Sequence, residues 1–114
     1  MAINKSLLTG STTILILKLL DEKNMYGYQM IEELRKKSNN AFDLKAGTLY
    51  PLLHTLEQKD MLTSYEETVD NARVRKYYSI TKKGRKHLNE KKEEWETFTA
   101  AVNAVLGGAG FATT

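Results

Sequence analysis

The apolar pattern of this chain changes from a helical period to a period of two at Met61, and that switch limits its fold more than any other feature. Upstream, Gly27, Met30, Ile31 and Leu34 fall at i, i+3, i+4 and i+7, and Leu49, Leu52, Leu53 and Leu56 repeat the spacing. Each set is the stripe of a half-buried helix. Downstream, Leu62 to Thr68 and Arg73 to Thr81 are rich in Thr, Tyr, Val and Ile, with Asp70 and Asn71 between them. Those residues fit a pleated surface, so they predict a β-hairpin. In its second strand, Val74, Lys76, Tyr78 and Ile80 share one side and Arg73, Arg75, Tyr77 and Ser79 the other, so one face packs and one is free to bind.

Helices flank this centre. The first is expected over Asn4 to Glu22, with Leu7, Leu8, Ile14, Leu15, Leu17 and Leu19 on more than one face, and Lys23 and Asn24 break it. The second covers Met25 to Lys37, with Arg35, Lys36 and Lys37 complementing its dipole and Gly27 allowing another helix to approach closely. Ser38 to Asp43 reads as a loop. The third covers Gly47 to Lys59, and Pro51 is placed at or just after its first turn, where the missing N–H costs little. Its outward face is Thr48, Tyr50, Pro51, His54, Thr55 and Gln58, polar and aromatic with little charge.

Thr81 is a suitable N-cap for a final helix over Lys82 to Leu106. Within it, Leu88, Trp95, Phe98, Val102 and Val105 are spaced 7, 3, 4 and 3 residues apart, an a/d seam with Lys91 as its polar interruption. The rest of the chain sequesters its own stripes, so the partner expected for this seam is the same helix of a second copy. The expected organisation is residues 1–81 as the main domain, 82–106 as a dimerisation helix and 107–114 as a flexible Gly- and Ala-rich tail.

Composition narrows the function classes. The 114 residues, 41% apolar, suffice for one modest core and one domain. Cysteine is absent, which removes disulfides and thiolate metal sites. The run Ile14 to Leu20 is broken by Lys18 and falls far short of the roughly 20 residues of a membrane span. With no small-residue cleavage site after Leu20, a cytoplasmic protein is expected. Net charge is +3, yet Arg73 to Lys92 holds nine cations against the one anion Glu90. Glu66, Glu67 and Asp70 precede that segment and Glu93, Glu94 and Glu96 follow it, so a polyanion is the natural partner.

Three helices, a hairpin and a cationic helix make a mainly α, α+β chain in the order of a winged helix-turn-helix. There the third helix enters the major groove and the hairpin wing lies along the backbone or minor groove. Arg73, Arg75 and Lys76 would neutralise phosphates while the third helix meets base edges. The residues also resemble those of the PadR-like bacterial transcriptional regulators. The likeness rests on Tyr26-Gly27-Tyr28, on Gly47-Thr48-Leu49-Tyr50-Pro51-Leu52-Leu53-His54-Thr55-Leu56-Glu57, and on Arg75-Lys76-Tyr77-Tyr78-Ser79-Ile80-Thr81 followed by Gly84. It spans about Leu8 to Trp95 and fits the shorter subgroup, with a single C-terminal helix.

The resemblance implies a homodimeric repressor joined mainly by the final helix. Tyr26 and Gln29 would touch phosphates, and Lys45, Gly47, Thr48, Tyr50, Pro51 and His54 would approach or enter the groove of double-stranded operator DNA. In some members, planar aromatic compounds bind between the helices of the dimer beside a tryptophan placed as Trp95 is here. For Trp95, with Leu88 and Phe98 as neighbours, two readings stand: a packing residue of the seam, or a flat platform for such a compound. A winged helix also serves as a protein-docking module or as a sensor of aromatic compounds. Catalysis has little basis, because no phosphate-binding loop, nucleophile elbow or cysteine nucleophile is present. His54 with Glu57, and His87 with Glu90, are two-residue pairs too small to define a metal site, and no cofactor is expected.

Overall fold

The computed structural model describes residues 5–70 and 72–107. Seven elements follow in order: α1 (Lys5–Glu22), β1 (Met25–Tyr26), α2 (Gly27–Lys37), α3 (Ala46–Gln58), β2 (Leu62–Val69), β3 (Arg73–Ile80) and α4 (Lys82–Val105). The start of the first helix at Asn4, the turn residue Asn71 and the tail beyond Gly107 lie outside the described residues. The fold is a winged helix-turn-helix with a C-terminal helix. Met30, Ile31 and Leu34 of α2 meet Leu49, Leu53 and Leu56 of α3 over Ile16, Leu17, Leu19 and Leu20 of α1, and all of them are buried. Leu62, Tyr78 and Leu88 close the core from the hairpin and from α4.

Two details of the helix pair differ from expectation. Met25 and Tyr26 do not begin α2; they form β1, a third strand that pairs antiparallel with Tyr78 and Tyr77 of β3. The sheet order is therefore β1-β3-β2, and the wing is anchored to the body by its inner strand. Periodicity missed β1 because two residues are too few to show alternation. Pro51 lies inside α3 rather than in its first turn, since α3 begins at Ala46. The carbonyl of Gly47 thus has no i+4 donor, but Gly47 and Pro51 are both exposed, so water can reach it. Leu52, expected within the buried stripe, is only half covered.

Glycine makes two close approaches possible. A Cβ on Gly27 would collide with the Tyr50 ring of α3, and one on Gly84 would collide with the main-chain oxygen of Met61. The second contact seats α4 on the turn after α3. Thr81 fixes that junction from both sides: its Oγ1 accepts from the N–H of Gly84 at 2.9 Å and donates to the carbonyl of Asp60 at 2.7 Å. Leu88, at 1% exposure, belongs to the same junction. Gly84 and Leu88 thus set one face of the first two turns of α4 in the core, and from Asn89 to Phe98 every residue is exposed.

Candidate nucleic-acid interface

Burying Leu49, Leu53 and Leu56 turns the opposite side of α3 outward. Gly47, Thr48, Tyr50, Pro51, His54, Thr55 and Gln58 are all exposed. Tyr50 is 43% exposed and leans over Gly27, where burial raises its phenol pKa, aided by Tyr78 and Tyr28. It is neutral near pH 7. The Thr55 hydroxyl donates to the Pro51 carbonyl at 3.0 Å, so its proton is already engaged within the helix.

The cations around this face are in different states. Lys45, at the N-cap of α3, pairs with Asp43 at 2.9 Å, and Arg35 of α2 reaches the same carboxylate at 3.0 Å. Lys45 and then Arg35 hold the Asp43 carboxyl below its usual range. On the wing, Arg73 is exposed and has no ion pair among the described residues. Arg75 lies over the Tyr26 ring, 4.3 Å from its centre. Lys76 points back toward Glu57 of α3 at 3.8 Å, and Glu57 also accepts from the Ser64 hydroxyl at 2.7 Å. In α4, Arg85 pairs with Asp21 of α1 at 2.7 Å and Lys91 with Glu94 at 3.1 Å, whereas Lys82, Lys83 and Lys86 are exposed. Gln29 is half-buried beside Tyr28.

Some residues of this surface escaped sequence reasoning. Asp43 carries no functional expectation in the sequence and Glu57 only a pairing with His54, yet Asp43 holds Lys45 and Arg35 and Glu57 draws Lys76. Tyr65 and Tyr77 were placed on strands without being connected. The register Tyr65↔Tyr77 and Tyr77↔Tyr26 sets the three rings side by side, and the alternation of Tyr77 with Arg75 was the available signal.

A second surface lies along α4. Trp95 at 47%, Phe98 at 58% and Val105 at 86% exposure run along α4 with Val102, and the Trp95 and Phe98 rings are 5.9 Å apart. Leu88 does not join them, because its side chain is enclosed in the chain's own core. The exposed seam therefore begins at Trp95. Beside it a groove of about 850 Å³ runs between α1, α3 and α4, lined by Ile14, Phe42, Leu52, Met61, Trp95 and Phe98 with His87 and Lys91 at its edge. Half-buried Leu52 supplies its floor. Among the described residues no three histidine or acidic side chains converge on a metal site, and no helix is long and apolar enough to cross a membrane.

Known proteins share this arrangement. The family described as "Transcriptional regulator PadR-like family" matches residues 16–90. A transcriptional regulator from Mycobacterium tuberculosis is 34% identical over 87 residues, covering 76% of this chain and 75% of its own. The structure of a transcriptional regulator from Clostridium thermocellum superposes with a TM-score of 0.81 at 32% identity, covering 88% of this chain and 97% of the other. A PadR-like transcriptional regulator from Bacillus cereus gives 0.80 at 29% identity, covering 91% of this chain and 99% of the other. The matched residues contain α2, α3, the wing and the start of α4, the parts that build the outward face described above. This chain belongs to the PadR-like family of DNA-binding transcriptional regulators.

Proposed function

We propose that the protein is a homodimeric repressor of a near-palindromic operator, acting in the cytoplasm and released by a planar aromatic effector. The outward face of α3 carries this reading. Thr48, Tyr50, Pro51 and His54, with Gly47 allowing close backbone approach, present polar and apolar groups of the kinds that read base edges. Lys45, Arg73, Arg75 and Lys76 supply charge for phosphates on either side, and Tyr26 and Gln29 flank the same backbone path. Two such faces must lie about 34 Å apart to enter successive major grooves.

The dimer is argued from α4. Beyond Leu88 its large apolar residues stay largely exposed, Trp95 by 47%, Phe98 by 58% and Val105 by 86%, and burying one large apolar side chain is worth about 1.5 to 3 kcal/mol. A second α4, packed along Trp95, Phe98, Val102 and Val105, would cover them in both copies. The groove beside Trp95 favours an effector that stacks between indoles, since it is apolar and flanks the seam whose geometry sets the spacing of the two α3 helices.

Sedimentation equilibrium combined with fluorescence anisotropy on duplexes from the gene's own upstream region tests the proposal. The expected result is a dimer binding one duplex tightly and mixed-sequence DNA at least a hundredfold more weakly. A monomer, or equal affinity for both duplexes, would overturn it.

A further inference from the structure

We infer that Tyr26 is a positioning residue for DNA binding, and that its ring, through a row of three tyrosines, fixes the Arg75 guanidinium where a phosphate passes. The inference rests on the DNA-binding reading and assigns Tyr26 a role distinct from the direct phosphate contact that the family resemblance implies.

The row crosses all three strands. Tyr65 of β2 stacks on Tyr77 of β3 with centres 5.6 Å apart and planes 13° apart. Tyr77 meets the Tyr26 ring of β1 at 5.4 Å and 77°, edge to face. The far end is tied to the body because Asn24 Nδ2 donates to the Tyr65 hydroxyl at 3.2 Å. Arg75 lies at the other end, its guanidinium carbon 4.3 Å from the Tyr26 centre. Tyr26 is the last residue before α2, so its ring links the Arg75 side chain on the wing to the body of the domain.

Stacking leaves the guanidinium N–H groups free to bind oxygen while it restricts the side chain. A free arginine must lose most of its rotamer freedom on meeting a phosphate; a guanidinium already stacked on a ring loses less. Arg73, two residues nearer the wing tip, has no ring partner among the described residues, so the two wing arginines differ in this preparation.

The full chain is titrated by anisotropy against a fluorescein-labelled mixed-sequence duplex of about 30 base pairs across a salt series. Loss of wild-type binding to every duplex would defeat the DNA-binding reading itself, so that failure is separable. Given binding, Tyr26→Phe should match wild type within about twofold, because it keeps the ring and removes only the hydroxyl. Tyr26→Leu should weaken binding by roughly threefold to tenfold. Its loss should vanish when Arg75→Gln is already present and remain in full on Arg73→Gln. A Tyr26→Phe loss as large as that of Tyr26→Leu would transfer the role to the hydroxyl and overturn the inference, as would additive losses for Tyr26→Leu and Arg75→Gln.

A measurement on the free protein holds even if Tyr26→Leu fails to fold. The Arg75 side-chain protons should be shifted upfield by the Tyr26 ring current in wild type and in Tyr26→Phe. Unshifted protons in the wild-type chain would contradict the geometry directly.

Discussion

Asp43 sets the charge at the entry to the proposed DNA-binding face. It holds Lys45 and Arg35 at the entry to α3, and that pairing competes with any phosphate approaching Lys45. Both pairs are solvent-exposed, so each is worth little to the fold. Replacing Asp43 with Asn removes an anion from the interface and frees two cations. Mixed-sequence DNA should then bind more tightly, by up to about fivefold at low salt, in an anisotropy titration. The sign with pH is fixed as well. The folded-state pKa of Asp43 is depressed, so its small stabilising contribution is present above the unfolded value near 3.8 and is lost as pH falls through the lower folded value. Base reading is expected from Thr48 and His54. Thr48→Ala should relax sequence preference, whereas Arg73→Ala should weaken binding to every duplex alike and reduce the salt slope by about one unit, as competition against random DNA would show.

At the scale of elements, the glycines and the α4 cap decide how helices meet. A Cβ at Gly84 runs into the backbone of Met61, whereas one at Gly27 meets the Tyr50 ring, which can turn aside. Gly84→Ala should therefore cost more stability than Gly27→Ala, with the second near the 1 to 3 kcal/mol typical of overpacking, measured by urea unfolding. Thr81→Ala should cost about 1 kcal/mol through loss of the cap. The two helix stripes and the hairpin were legible in the sequence because each repeats its period several times. The junctions were not. Strand β1 is two residues long, and the burial of Leu88 depends on α4 folding back onto α1 and β3, a tertiary contact that a heptad count cannot see. Leu88 continues the spacing of Trp95 and Phe98 by register alone. The wing cations looked equivalent in sequence, yet among the described residues Arg73 has no ion pair, Arg75 has an aromatic platform and Lys76 a carboxylate, because strand register sets their neighbours.

For the whole molecule, the α3 face proposed to bind DNA and the proposed α4 seam are joined through one core by packing at Thr81, Gly84 and Leu88. Any change in how two α4 helices pack would move the two α3 helices relative to each other. Phe98→Glu places a charge in the seam and should yield a monomer in sedimentation while leaving the thermal unfolding of the winged domain nearly unchanged. Planar dyes should quench Trp95 fluorescence in the dimer and much less in Phe98→Glu, since the groove would lose its opposing wall.

The central claim is that two copies of the α3 face read DNA together. Selection of bound duplexes from a random-sequence pool by the wild-type chain, followed by sequencing, tests it most directly. The enriched sequences should converge on an inverted repeat with half-site centres about one helical turn apart, and Thr48→Ala should blur the repeat at matching positions in both halves. Convergence on a single unrepeated motif, or no enrichment at all, would contradict the account.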